Sequence, residues 1–398
     1  MSYKSYSRNA RPRYGTSKVQ GRRSTGRKNT KQYIHPTKFV KSAIDRTEAA
    51  YEPTNNFADF VMHELLHRNL ASKGFTIPTP IQDQSVPHGL AGTDVIGIAN
   101  TGTGKTIAFA LPVLHSLMTS RQNRAIIMAP TRELAQQIEA ELKVIAKGSG
   151  LSGALLIGGT AMGPQLRDLR MSPRIIIGTP GRIKDHIERG TLKTNDFNLV
   201  VLDEVDRMLD MGFVTDITFI LDRLSEERQS FFFSATMDIR VEKIMHTFTK
   251  DAVTISVKTG DTSEHVEQDI IAYQTSSEKI DRLHTLLNEN STNKFLVFDD
   301  TQRSVERLSI ELINRGFKAD AIHGGKSQGQ RTRAMQRFKR GEISVLVATD
   351  VAARGIDISD ISHVINFSQP QSFEDYIHRI GRAGRAGRIG YAFTFVQV

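Results

Sequence analysis

The chain is 398 residues long, which is enough for two domains with separate cores, because single cores seldom grow past about 250 residues. Its net charge of +10 is unevenly placed: residues 1–50 hold 13 Lys or Arg against 2 Asp or Glu, so the rest of the chain sums to −1. With no cysteine, a disulfide partner, a thiolate metal site and a cysteine nucleophile are all excluded.

Residues 1–50 mix Arg, Lys, Ser, Thr, Gly and Asn with isolated aromatics such as Tyr3, Tyr6, Tyr14 and Tyr33, without a helical or strand period. Such a segment cannot bury enough apolar surface to offset its chain entropy, and we expect a disordered basic tail. Its Arg and Tyr side chains suit phosphates and unstacked bases, although a purely solubilising tail has the same composition. No signal-peptide core opens the chain, and no run approaches the roughly 18 apolar residues of a membrane span. The sequence therefore reads as soluble and cytoplasmic, with no membrane partner.

Order is expected from Phe57, where Phe57, Phe60, Val61, Leu65, Leu66 and Leu70 follow helical spacing up to the break at Lys73-Gly74. The turn-rich stretch Gly74 to Gln82 then opens another helix. The apolar run Asp94-Val-Ile-Gly-Ile98 precedes Ala99-Asn-Thr-Gly-Thr-Gly-Lys105-Thr106, a strand followed by a phosphate-binding loop. Gly102 and Gly104 let backbone N–H groups of Thr101 to Lys105, Thr103 included, approach phosphate oxygens. Lys105 adds a point charge and the Thr106 hydroxyl can hold Mg2+. Ala99 stands where the strict pattern has Gly, and a plain glycine turn is the competing reading.

A second strand, Asn198 to Asp203, ends in the carboxylates Asp203 and Glu204. Asp203 is placed to reach Mg2+ and Glu204 to orient and deprotonate a water, which together with the loop points to hydrolysis of a nucleoside triphosphate. Between and after these, apolar strands at 125–129, 155–157, 175–178 and 231–233 alternate with helical stretches. Continuous Val/Ile/Leu strands of this kind build a parallel sheet covered on both faces, with ligand contacts at the carboxyl ends of its strands.

The polar passage 258–264 reads as a linker between domains at 51–257 and 265–398. Strands at 295–298, 319–322, 345–348, 363–367 and 391–395, with helices near 302–314, 328–340 and 373–380, make a second α/β domain without a phosphate loop. It ends in His378-Arg-Ile-Gly-Arg382-Ala-Gly-Arg385, which is either a basic patch or a set of arginine fingers for the neighbouring site.

From Phe57 to the C-terminus these motifs, in this order, resemble a DEAD-box ATP-dependent RNA helicase of superfamily two, with two RecA-like domains in tandem. The resemblance implies that Phe57, Phe75 and Gln82 read adenine, with Phe75 as stacking ring. It implies ATP contacts from residues 101–106 and, across the interface, from Gly355, Asp357, Arg382 and Arg385. It implies that Asp206, Ser234, Thr236 and His378 couple hydrolysis to strand separation. RNA contacts are implied for Pro130, Thr131, Arg132, Gly159, Thr179, Pro180, Gly181 and Arg182 on the first domain, and for Gly324, Gln328, Arg331, Thr349 and Asp350 on the second. Backbone amides and small side chains suit phosphate and 2′-OH contact, which reads RNA without a sequence code.

The expected activity is RNA-stimulated ATP hydrolysis with Mg2+, coupled to lobe closure and local melting of short duplexes. An ATP-gated RNA clamp and a DNA translocase of the same superfamily are the alternatives. Ribosomal or other ribonucleoprotein particles are candidate settings. The sequence departs from the family pattern in several places. Residues 203–206 are Asp-Glu-Val-Asp, so Val205 replaces Ala beside the carboxylates. Asn100 stands for Gln, Asp299 and Asp300 add charge to a loop, and the C-terminus stops short of a further helix.

Overall fold

The computed structural model describes residues 34–43, 51–100, 102–257, 265–290, 293–353, 361–384 and 389–398. Thr101, Arg354, Gly355, Asp357, Arg385, residues 1–33 and 44–50 and the linker 258–264 lie outside the described residues.

In the first lobe, α1 (Glu64–Ser72) and α2 (Pro80–Leu90) lead into β1 (Val95–Ala99) and α3 (Lys105–Thr119). Then come β2 (Ala125–Met128), α4 (Arg132–Ile145), β3 (Gly153–Leu156), α5 (Met162–Arg170), β4 (Ile175–Gly178) and α6 (Pro180–Glu188). The lobe closes with β5 (Leu199–Leu202), α7 (Val205–Asp210), α8 (Val214–Leu221), β6 (Gln229–Ser234), α9 (Ile239–Phe248) and β7 (Val253–Val257). These strands form one parallel sheet in the order β3-β4-β2-β5-β6-β1-β7. Strands β1, β2, β4 and β5 are buried along their whole length, because apolar clusters cover both faces of the sheet.

The second lobe contains β8 (Val266–Tyr273), α10 (Ser276–Glu289), β9 (Phe295–Phe298), α11 (Gln302–Asn314), β10 (Ala319–Ile322) and α12 (Gln328–Lys339). It continues through β11 (Val345–Ala348), α13 (Asp350–Ala353), β12 (His363–Asn366), α14 (Phe373–Ile380) and β13 (Gly390–Gln397). Its strands are parallel too, in the order β10-β11-β9-β12-β13-β8, with two further apolar clusters on the two faces. The fold is therefore α/β, with two RecA-like parallel-sheet domains in tandem.

Two expectations need correction. The helix read from Phe57 is broken: Phe57–Asp59 is a single 3-10 turn, the chain then runs extended, and α1 starts only at Glu64, leaving Val61 87% exposed. The His63 imidazole accepts the Leu65 N–H at 3.2 Å and so caps the later start. Residues 34–43 do not share the disorder expected of the tail. They form a 3-10 turn at Pro36–Phe39 and pair at Lys41 with Gln268 of β8, antiparallel, with Phe39 fully buried in the second lobe.

Candidate active site and nucleic-acid cleft

The sheet order β5-β6-β1 brings three carboxyl ends into a row, carrying Asp203 and Glu204, Ser234 to Thr236, and the phosphate loop. Gly102 and Gly104 both adopt positive φ, at 85° and 90°. At Gly104 a Cβ would lie 2.2 Å from the Gln82 side-chain nitrogen, so only glycine lets the loop meet α2 there. The Gln82 amide donates to the Gly104 carbonyl at 2.9 Å and accepts the Thr79 N–H at 2.9 Å, while the Thr79 hydroxyl donates to the Thr103 carbonyl at 2.8 Å. The segment holding Thr79 and Gln82 is thus fastened to the glycine-rich loop itself. Phe57 is buried with its ring 6.3 Å from that of Phe75, and Phe75 is 41% exposed.

Lys105 is buried and its ammonium donates to the Ala99 carbonyl at 2.9 Å. Burial pushes the Asp203 carboxyl up to about 7, against the pull of the Lys105 charge. Glu204 sits in the left-handed region at φ 55°, ψ 56°, a conformation that costs a non-glycine residue of order 1 kcal/mol or more. One of its carboxylate oxygens, Oε2, is buried without a hydrogen-bond partner. An acceptor held strained and unsatisfied beside a phosphate loop is what a water-orienting base requires.

Asp206 faces the other way. Its Oδ2 accepts the Thr236 N–H at 3.0 Å, the Thr236 hydroxyl at 3.1 Å and the Ala235 N–H at 3.2 Å, and its own N–H donates to the Ser234 hydroxyl at 3.3 Å. The carboxylate segment after β5 and the Ser-Ala-Thr segment after β6 are therefore tied together.

Between the lobes, Pro130, Thr131, Arg132, Thr179, Gly181 and Arg182 of the first face Gly324 and Arg331 of the second across an open cleft. Gly159, at φ 71°, lies so close to the Arg132 guanidinium that a Cβ would be 1.9 Å from it. Thr179 precedes α6 and Pro180 begins it, with the Thr179 hydroxyl not spent on the helix cap. Gln328 donates to Glu133 at 3.2 Å and to Gln136 at 3.0 Å, and Arg331 pairs with Glu133 at 2.9 Å. All three bonds cross from α12 to α4. Burial and the neighbouring Arg331 lower the Arg132 pKa, so the cleft holds two guanidinium groups close enough to repel.

Two family models match the chain: DEAD/DEAH box helicase over residues 79–245 and the helicase conserved C-terminal domain over residues 278–387. Among relatives, the ATP-dependent RNA helicase CshA of Listeria monocytogenes is 44% identical over 342 residues, or 86% of this chain. The match spans 66% of that protein's length, just under two thirds. Mss116p, solved bound to ssRNA and AMP-PNP, is 30% identical with a TM-score of 0.76, over 86% of this chain and 74% of its own. The chain belongs to the DEAD-box helicases. Saccharomyces cerevisiae Dbp5, solved bound to RNA and ADP BeF3, shares the TM-score of 0.76 at 28% identity, over 86% of this chain and 89% of its own.

In this DEAD-box chain the arginine-rich segment divides its roles. Arg379 is 2% exposed and bonds both Asp350 oxygens, at 2.6 and 2.7 Å, besides Asn366 at 3.2 Å and the Ser368 carbonyl at 2.7 Å. Asp350, expected on RNA, thus has both oxygens bonded inside the second lobe, and Thr349 lies buried beside it. His378 and Arg382 line a small cleft with Arg207 of the first lobe. Glu133, which the resemblance placed with Pro130 to Arg132 on RNA, instead meets Gln328 and Arg331. Sequence reasoning missed Gln136, whose only signal was its place on α4 behind Arg132, and Asn366, which looked like an ordinary strand residue. It also missed Asp83, which accepts the Tyr51 hydroxyl at 2.6 Å and the Thr54 and Asn55 N–H groups at 2.8 and 3.1 Å.

Proposed function

We propose that the protein is an ATP-dependent RNA helicase, an RNA-stimulated ATPase whose lobes close on ATP and on a single RNA strand and so melt short duplexes. The observation that carries this reading is the pair at the end of β5, where Asp203 is buried with a raised pKa and Glu204 is strained with one oxygen unsatisfied. Residues 102–106 would hold the phosphates through backbone N–H groups and the Lys105 charge. Phe57, Phe75 and Gln82 would hold the adenine, with Thr101, Gly355 and Asp357 completing the nucleotide contacts.

The donor set fits magnesium. Thr106 and Asp203 would hold the ion, and a nearby dication would keep the buried Asp203 ionised at neutral pH. Among the described residues no three His, Asp or Glu side chains gather at a metal-binding distance, so such an ion shares its shell with phosphate oxygens and water. When bound, it supplies charge neutralisation on the β- and γ-phosphates. Glu204 would orient the attacking water and take its proton. Arg382 and Arg385 would stabilise the equatorial γ-oxygens once the lobes meet.

RNA would lie in the cleft between Arg132, Gly159, Thr179 to Arg182 and Gly324, with Gln328, Arg331 and Thr349 forming the second wall, while Asp350, bonded to Arg379, would hold that wall without touching RNA. Contacts there go to phosphates and 2′-OH groups, so the RNA is read by backbone. Asp206, through Thr236 and Ser234, and His378 from the other lobe would transmit the state of the nucleotide. The absence of cysteine agrees with a reducing, cytoplasmic setting, and a ribonucleoprotein particle is a fitting substrate for a backbone reader. No described helix is long and apolar enough to cross a membrane.

The test is release of a strand from a short RNA duplex with ATP and Mg2+, against the same duplex in DNA. The reading predicts ATP-dependent release of RNA strands alone. Long RNA retention without release would make the protein a clamp, and equal action on DNA would make it a translocase.

A further inference from the structure

The ten residues before the first lobe's own chain are built into the second lobe. Phe39 is fully buried among Val266, Tyr376, Ile380 and Ala383, with its ring 4.8 Å from that of Tyr376. Lys41 exchanges both backbone hydrogen bonds with Gln268, at 3.1 and 2.9 Å, and the Ala43 N–H donates to the Glu267 carboxylate at 2.7 Å. Strand β8 is an edge of its sheet, so this pairing satisfies backbone groups that would otherwise face water. The Lys38 ammonium lies 5.4 Å from the Phe373 ring centroid.

These contacts converge on α14. Phe373 and Tyr376 are its first turn, and the Tyr376 hydroxyl donates to the Gln268 side-chain oxygen at 2.9 Å. The next turn carries His378 and Arg379, and the helix end leads directly to Arg382 in the cleft with Arg207. Without Phe39, the Tyr376 ring would lose the neighbour at 4.8 Å, keeping Phe373 of its own helix at 5.7 Å, and the near end of the helix would lose part of its packing. A helix held mainly at its far end, by Arg379 on Asp350, Asn366 and Ser368 and by buried Ile380, can tilt about that end.

We propose that residues 34–43 are a strap of the second lobe whose Phe39 is a positioning residue for the arginine-bearing helix α14. The proposal rests on the functional reading above for the role of Arg382, but not for the docking of the strap. Phe39 touches neither nucleotide nor RNA, and its effect passes through Tyr376. Displacing a transition-state contact by about 1 Å costs up to about a hundredfold in rate. Because the arginines act in the transition state and most nucleotide contacts lie on the first lobe, the loss belongs in kcat and not in the KM for ATP.

The test uses full-length protein with Phe39→Ala, Phe39→Leu and Lys41→Pro, the last removing the N–H that donates to Gln268 while leaving the ring in place. The readouts are kcat at saturating RNA, KM for ATP, and amide hydrogen exchange over 373–380. Phe39→Ala and Lys41→Pro are expected to lower kcat by about ten- to a hundredfold with KM for ATP within about twofold. Exchange should rise in α14 while β9 to β12 stay protected, and Phe39→Leu should recover most of the rate. Unchanged kcat and unchanged α14 exchange in both variants would overturn the proposal, as would loss of protection across the whole second sheet. Should the wild-type protein show no RNA-stimulated turnover, the functional reading fails and exchange alone decides. In that case α14 loosened locally by Phe39→Ala supports the strap, and α14 unaltered removes it.

Discussion

Arg379 lays its guanidinium along the Asp350 carboxylate, Nε to Oδ1 at 2.6 Å and Nη2 to Oδ2 at 2.7 Å, with Nη1 taken by Asn366 and the Ser368 carbonyl. This fork joins α13 to α14 and lies over the Phe298 ring, 5.0 Å from its centroid. Removing one partner of such a buried pair leaves an uncompensated charge, which costs about 3–5 kcal/mol. Arg379→Ala should therefore lower the unfolding free energy of the second lobe by several kcal/mol, read as a lower urea midpoint. Arg382→Ala should lower that midpoint by less than Arg379→Ala does and lower RNA-stimulated turnover by about a thousandfold or more. Equal loss of stability in both variants would show that the segment is structural throughout.

Asp203 gives a pH dependence of definite sign. Its pKa is raised in the folded protein to about 7, from 3.8. Between these values the native state binds the proton more tightly than the unfolded chain, so this group stabilises at low pH, and its contribution fades as pH rises through about 7. His363, stacked on Tyr391, tilted against Phe295 and pushed by burial down to about 4, acts in the opposite sense. Its contribution is complete above pH 6.5 and is lost as pH falls toward 4. Urea unfolding from pH 4 to 8 should show Asp203→Asn removing the loss at the alkaline side and His363→Phe removing the loss at the acid side. Calorimetry in two buffers should also detect a proton released when Mg-ATP binds the wild-type protein at pH 6.5, and none with Asp203→Asn.

Val205 is fully buried and packs within the apolar cluster of the first lobe that contains Ile96, Leu202 and Phe232. Its two extra carbons are therefore part of the core and do not enter the active site. Val205→Ala should cost about 1.5 kcal/mol, at about 0.8 per buried carbon, with ATPase close to wild type. A large change in turnover would show that the side chain tunes the neighbouring carboxylates.

The basic arm ends earlier than the sequence suggested. Residues 1–33 hold ten Lys or Arg and no Asp or Glu, so they account for the whole net charge of +10. A deletion beginning at residue 34 keeps the strap, whereas one beginning at residue 51 removes it and confounds charge with packing. The residue-34-start protein should bind RNA with a log-log salt slope flatter by about 2 to 5 units, at roughly 0.7 per phosphate contact. Its kcat at saturating RNA should be unchanged. An unaltered slope would return the arm to a solubilising role.

Much of this architecture was legible because it rests on local rules. The Val/Ile/Leu runs between glycine-rich turns read as buried parallel strands, and residues 99–106 read as a phosphate loop from their glycines, lysine and strand-loop-helix context. What was not legible depends on long-range partners. Nothing near Phe39 indicates that it is buried against Tyr376, 337 residues later in the chain. Nothing in the sequence around Asp350 says whether it meets RNA or Arg379. The break before α1 was misread because Phe57, Phe60 and Leu66 are all buried, and burial at helical spacing does not require a helix.

The central claim is that Asp203 and Glu204 serve ATP turnover gated by RNA. It is tested most directly by RNA-stimulated phosphate release, with ATP-dependent RNA retention, in wild type, Lys105→Ala and Glu204→Gln. Wild type should hydrolyse ATP faster with RNA than without. Lys105→Ala should lose turnover through the missing charge at the β/γ-phosphates, and Glu204→Gln should bind ATP, fail to hydrolyse it and hold RNA in the closed form. Wild-type turnover in Lys105→Ala, or full hydrolysis in Glu204→Gln, would contradict the account.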